Sequence, residues 1–393
     1  MVVCMLCLAG PVRAAVPDTD AILESGKFDE GIVALEAHLK QQPQDDNARF
    51  GLAVVQFVQS AQGMARKLVA YGPITYGDEE LQRLFGGTPA PKEDLTYPRL
   101  REIIQEWLQD LTRIEATLAK IKPDEVRLPL HVARIPLNFS RNGAQSLTLV
   151  PFLGRMGQAR PEDVVIAFDR ADVDWMRGYC HLLSALCEIG LAYDGQELFD
   201  VVAHRSFKHV KTPHKFLLDE PRPREGGSWF NFEEIADVIA AIHVLRFPVK
   251  EPQRMEIALK HIEQTMVLSR SMWKRVLAET DDDREWIPSP MQTNAVGARV
   301  TQEMVDHWII ALDEAEAIVQ GKKLLPFWRG KKTYGVNLRK AFLKPGPFDV
   351  VLWVQGAAAT PYLEEGEITS PDTWRQINQV FRGQFVAFGF WFN

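Results

Sequence analysis

YPRLREIIQEWLQDLTRIEATLAKI, residues 97–121, decides the fold class. Its apolar side chains fall at 100, 103, 104, 107, 108, 111, 114, 118 and 121, the 3.6-residue period of an amphipathic helix, and Pro123 ends the run. The same texture returns after it. A helix is expected from the Asp172/Asp174 region to about Tyr193, capped by one of those two acids, and another over roughly 195–204. Further helices are expected near 230–246, 251–280 and 300–320, with short ones at 77–92, 337–343 and 370–382. Only 126–150 reads otherwise: Val126, Leu128, Leu130 and Val132 alternate as in a strand, while Pro129 and Pro136 restrict such segments to sheet edges. The chain therefore reads as mainly α, an irregular multi-helix bundle with a minor extended element near 126–150. The apolar run FVAFGFWF at 385–392 stays open between strand and buried helix, because it has no period to read.

The 393 residues are 46% hydrophobic and 25% charged, enough for a sizeable core. A net charge of −7 argues against a general nucleic-acid binder, whose affinity would come from neutralising phosphates. The opening MVVCMLCLAGPVRAA reads as a signal peptide, residues 1–14, which predicts a periplasmic or secreted protein. No later run reaches the ~18–20 apolar residues of a membrane helix, so no transmembrane segment is expected in the mature chain. Cys180 and Cys187 then remain. Seven helical residues hold their Cα atoms about 10 Å apart, too far for a mutual disulfide.

Residues 15–92 read as a first segment and 93–393 as a helical main domain, with a sub-boundary near 285–300. Gly26, Phe28, Gly31, Leu35 and Pro43, followed by Leu52 and Ala53, resemble a tetratricopeptide-like helical hairpin. With FDRADVDWMRGYCHLLSALCE (168–188) and the tail from Phe348, the chain resembles uncharacterised exported bacterial helical proteins carrying an EF-hand-like loop. That resemblance implies export and a helical fold, and no activity.

The loop in question is NFSRNGAQSLTL, 138–149. Asn138, Ser140 and Asn142 offer oxygens at alternate positions, but Leu149 replaces the bidentate Glu that calcium needs and Arg141 intrudes. Asn142-Gly143 is equally a hairpin turn, and that reading is the stronger. His204, His209 and His214 form a second metal candidate. Five-residue spacing and the intervening Lys208 and Lys211 favour a solvated basic loop instead. The acids Asp169, Asp172 and Asp174 suit metal or acid–base work, yet their place before an apolar helix suits capping better. Cys180 and His181 point about 100° apart on a helix and make no dyad. No P-loop, Rossmann or nucleophile-elbow pattern occurs, and no cofactor is expected.

The most biased stretch is KKLLPFWRGKKTYGVNLRKAFLK, 322–344. It holds eight Lys or Arg and no acid, interleaved with aromatics. Lys322, Lys323, Trp328, Arg329, Lys331, Lys332, Arg339 and Lys340 are the candidate anion- or partner-binding residues. An intramolecular acidic neighbour such as ETDDDRE (279–285) is the competing use of that charge. The reading is an exported, non-catalytic binding or scaffolding protein of the cell envelope, its partner a protein or an anionic envelope component. The rival is a periplasmic hydrolase, metal-dependent or not, with a cleft between the helical body and the C-terminal part.

Overall fold

Short polar side chains set the helix starts. Asp18, Asp45, Thr96, Asp169, Thr301, Asn337, Asp349 and Ser370 each accept a backbone N–H from the turn that follows. Each cap of this kind is worth about 1 kcal/mol. The computed structural model describes residues 16–74, 91–122, 125–139, 146–148, 163–219, 232–282, 284–294 and 299–392, and the fold is mainly helical. In chain order the described helices begin with α1 (Thr19–Ser25), α2 (Phe28–Gln41), α3 (Asp46–Val69), α4 (Tyr97–Leu118), α5 (Arg170–Ala192) and α6 (Gln196–Val202). They continue with α7 (Phe232–Val244), α8 (Gln253–Val276), α9 (Gln302–Val319), α10 (Leu338–Leu343), α11 (Val350–Gln355), α12 (Pro371–Val380) and α13 (Phe385–Phe392).

The periodic stretch that opened the sequence reading is α4. Its face Ile103, Leu108, Leu111, Ile114 and Leu118 is buried, and its charged face carries Glu102, Glu106 and Arg113. α5 is the axis of the fold: it packs most extensively on α8 and also on α4. Two apolar cores meet along it. One joins Leu23, Leu35, Phe50 and Val55 to Leu111, Ile114, Leu118 and Val173. The other gathers Trp273, Met272, Leu259, Trp308, Ile377, Phe381 and Phe388. Burying each such side chain fully contributes about 1.5–3 kcal/mol. Gly26 ends α1 at φ 68°, a backbone that favours glycine. Gly31 lets α1 lie against α2, since a Cβ there would sit 2.2 Å from Ile22 Cγ2.

Strands are short and antiparallel. β1 (Leu128–Leu130) pairs with β4 (Ile166–Phe168), and β2 (Leu137–Asn138) pairs with β3 (Ser146–Leu147). β5 (Arg246–Phe247) pairs with β8 (Phe348–Asp349), while β7 (Tyr334–Val336) lies between β6 (Leu325–Pro326) and β9 (Leu363–Glu365). β1 holds Pro129 in a two-stranded ladder, where each strand has a free edge for a residue without an N–H.

Two sequence expectations change. Asp169, not Asp172 or Asp174, caps α5; its Oδ1 accepts from Ala171 N at 2.7 Å and Asp172 N at 3.3 Å. Asp172 instead accepts the Asp169 N–H at 2.9 Å and completes a capping box. Three acids within six residues all satisfy the residue-type rule, and chain direction at β4 selects the first. The open run 385–392 is helical, with Phe388 stacked on Trp273 at 6.1 Å between ring centres. The expected helix at 77–92 lies largely outside the described residues.

Candidate functional site

The basic-aromatic segment folds as the β6–β7 hairpin followed by α10, and its cations divide into two sets. Lys323 Nζ meets Glu314 Oε2 at 2.6 Å, Arg339 Nη1 meets Glu263 Oε1 at 2.9 Å, and Lys340 pairs with Glu364. The hydrogen bond to Glu314 raises the Lys323 pKa. Burial alone would lift Glu314, but its bonds from Lys323 and Thr369 outweigh that and hold it below the usual range. Bonds from Lys340 and Asn337 do the same to Glu364. The acidic run 279–285, expected as neutraliser, is not among these partners; acids on α8, α9 and β9 take the role.

Lys322, Arg329, Lys331 and Lys332 are exposed and form no ion pair within the described chain. The last three occupy the hairpin tip with Trp328, which is 56% exposed, and Gly330, at φ 78°, turns the chain between them. Lys331 Nζ lies 6.0 Å from the Tyr334 ring centre, a weak cation–π contact at the base of the tip. The hairpin is held rigidly where it leaves the body. A Cβ on Gly335 would sit 2.5 Å from Leu324 Cβ and 2.8 Å from Leu325 O, so only glycine lets β6 and β7 close.

Beside the tip lies exposed apolar surface. Gly356, the left-handed cap of α11, approaches Phe327 and Arg329 so closely that a Cβ there would be 3.1 Å from Phe327 Cζ and 3.6 Å from Arg329 Cδ. Val351, Leu352 and Val354 of α11 are exposed, Val354 to 70%. α11 touches α7, whose Ile235, Val238, Ile239 and Ile242 are also exposed. Their i, i+3, i+4, i+7 spacing is that of a helix face meant for burial. Beside α11, Phe247, Pro248, Pro347, Phe348 and Pro361 line a largely apolar cavity of about 560 Å³, with Glu197, Arg246 and Asp349 also on its wall.

The other sequence candidates come out differently. Asn138 ends β2, and Ser140 and Asn142 lie outside the described residues. β2 and β3 pair Asn138 with Ser146 and Leu137 with Leu147, antiparallel. His204, His209 and His214 do not converge: no described trio drawn from them brings ligand atoms within metal-sharing range. His204 is lowered in pKa by burial and lies 3.8 Å from Asp237. Asp174, 1% exposed, is the centre of a buried ion-pair knot, with Arg170 at 2.5 Å, Ser271 at 2.7 Å and Arg275 at 3.1 Å. That knot ties α5 to α8. Cys180 and Cys187 are free and buried, and burial pushes their thiols up to about 12 and about 11. His181 turns away from Cys180 to meet His261 at 2.8 Å between Nδ1 atoms, and Glu115 at 3.6 Å.

Two clusters escaped sequence reasoning. Asp20, Glu24 and His131 converge within metal-sharing range, His131 Nδ1 lying 2.6 Å from Asp20 Oδ2. Arg134 also bonds Glu24 at 3.0 Å, so this cluster already carries its own countercharge. The second is a carboxylate-lined cavity joining Asp169 to Glu279 and Glu285. In each cluster one member, His131 or Asp169, lies about 110 residues from the others, beyond any local pattern. No protein-family model, curated protein or solved structure matches this chain.

Proposed function

We propose that the protein is a non-catalytic binding protein of the cell envelope that docks, through the β6–β7 tip, on an anionic phospholipid surface. One observation carries this reading: the cations Arg329, Lys331 and Lys332, which form no ion pair among the described residues, flank exposed Trp328 beside the exposed aliphatic side chains of α11. Cations are drawn to anionic headgroups, tryptophan suits the water–lipid boundary, and aliphatic side chains gain by leaving water. An acidic polysaccharide would satisfy the charges alone and leave Val351, Leu352 and Val354 in water. Among the described residues no helix is long and apolar enough to cross a membrane, so the docking proposed is peripheral.

Cosedimentation with vesicles tests it. Binding is expected to vesicles containing phosphatidylglycerol, to weaken in high salt, and to be slight on phosphatidylcholine alone. Equal binding to both lipids, or retention on heparin without binding to anionic vesicles, overturns the lipid assignment.

A further inference from the structure

The groove between α3 and α4 is independent of the docking hairpin and holds polar groups that the fold leaves unanswered. It is a cavity of about 320 Å³, at the small end for a ligand site. Gln56, Ser60, Gly63 and Lys67 line it from one face of α3, at i, i+4, i+7 and i+11, while Trp107 and Asp110 line it from α4. Bonds within the walls fix their shape. Gln59 Nε2 donates to Asp29 Oδ1 at 2.7 Å, Ser60 Oγ to Asp110 Oδ2 at 3.1 Å, and Arg113 Nη2 to Asp110 Oδ1 at 2.8 Å.

Three residues point to an occupant. Gln56 lines the cavity, is only 7% exposed, and has one side-chain bond, a long one with Thr117 Oγ1 at 3.5 Å. Thr117 answers one end of the amide; the other end has no partner among the described residues. A buried polar group in that state costs free energy until water or a ligand meets it. Arg66 lines the same cavity, and its guanidinium makes no hydrogen bond or ion pair among the described residues. Gly63 is the third. It stands inside α3, where glycine is less favourable than alanine, yet a Cβ there would meet nothing within 4 Å. Packing does not require this glycine, and its missing side chain leaves the cavity open.

From this arrangement we infer that the cavity binds a neutral sugar of one or two rings. The charges of its walls balance: Arg66, Lys67 and Arg113 stand against Asp29, Asp110 and Glu106, the last joined to Lys67 at 2.6 Å. Nothing in that balance selects an ion. The unanswered groups are of both kinds. Arg66 can only donate, whereas Asp29 Oδ2, unlike its Oδ1, receives no bond among the described residues and can accept. A sugar hydroxyl does both, so one type of ligand meets both needs. Gln59 holds Asp29, and Arg66 lies seven residues further along α3, a rise of about 10 Å. That separation is too long for the adjoining charges of an amino acid and suits a row of hydroxyls. Trp107 adds a flat wall on which the C–H face of a sugar ring leaves water.

Saturation-transfer NMR of the full chain with glucose, galactose and N-acetylglucosamine is the test, followed by calorimetric titration of the sugar that responds. Transfer to at least one sugar is expected at millimolar concentration, with one site per chain. Arg66→Gln and Gln56→Leu are each expected to weaken binding on the order of tenfold. Gly63→Leu puts a side chain into the cavity and is expected to abolish binding while the melting temperature holds or rises. Lys120→Gln removes an exposed charge outside the cavity lining and is expected to leave binding intact. Absence of transfer to all three sugars overturns the inference, as does undiminished binding by Gly63→Leu. Tighter binding of galacturonate than of galactose marks an anion site and overturns it too. Should the substituted chains fail to fold, the wild-type measurements with these four sugars decide.

Discussion

Replacing Arg329, Lys331 and Lys332 together by Gln removes the three cations at the hairpin tip without touching any ion pair or the glycine that closes the strands. Each Lys or Arg near an anionic leaflet contributes about 1 kcal/mol, so the triple variant should lose about 3 kcal/mol of binding. At 1.4 kcal/mol per decade, that is on the order of a hundredfold in vesicle partition. The loss should shrink as salt rises, since at 0.1 M the Debye length is only about 10 Å. The matched control is Arg339→Gln with Glu263→Gln. It deletes an internal pair joined at 2.9 Å, leaves net charge unchanged, and should leave vesicle binding unaltered. Cosedimentation across a salt series reads both. If the triple variant binds anionic vesicles as the wild type does, the division into tip cations without an ion pair among the described residues and internally paired ones has no functional meaning, and the docking argument fails.

The remaining predictions concern stability and reactivity. Glu279 and Glu285 are raised to about 7 and about 8 in the folded chain, above the ordinary glutamate value, so the folded state holds more protons than the unfolded one in that window. Their contribution is therefore fully present below the ordinary glutamate value and is lost progressively as pH rises from there through about 7 to 8. The melting temperature should fall across that range, and Glu285→Gln should flatten the fall. Glu115 has the opposite sign. Its bond with His181, then that with Arg177, lowers it to about 2 against the effect of burial, so its contribution is lost as pH falls toward that value. Trp273→Ala empties the centre of the second core, where Trp273 is fully buried and stacked on Phe388, and should cost about 3–5 kcal/mol by urea denaturation. Gly335→Val should break the β6–β7 closure and reduce vesicle binding although no charge changes, because the tip loses its base. Cys180 and Cys187 should resist alkylation at neutral pH and react only on unfolding, since burial keeps both thiols protonated.

The sequence by itself determined the helices, because a helix is written in local spacing. The apolar period of 97–121 gives α4 and its buried face with no reference to the rest of the chain. It also revealed the basic bias of 322–344 and the inability of Cys180 and Cys187 to reach each other. Where several residues met the same local rule, as with Asp169, Asp172 and Asp174, spacing alone did not choose the cap. Where a run had no period, as at 385–392, it did not choose between helix and strand. Only the tertiary structure decided which charges answer which. Lys323, Arg339 and Lys340 are neutralised by acids on α9, α8 and β9, and the tip cations are left over. Asp169 is brought against Glu279 and Glu285, and the expected neutraliser of the basic segment becomes the wall of an acidic cavity. The reason is physical: side-chain periodicity fixes which face of an element is buried, while a charge's partner depends on how whole elements pack, which no local window contains.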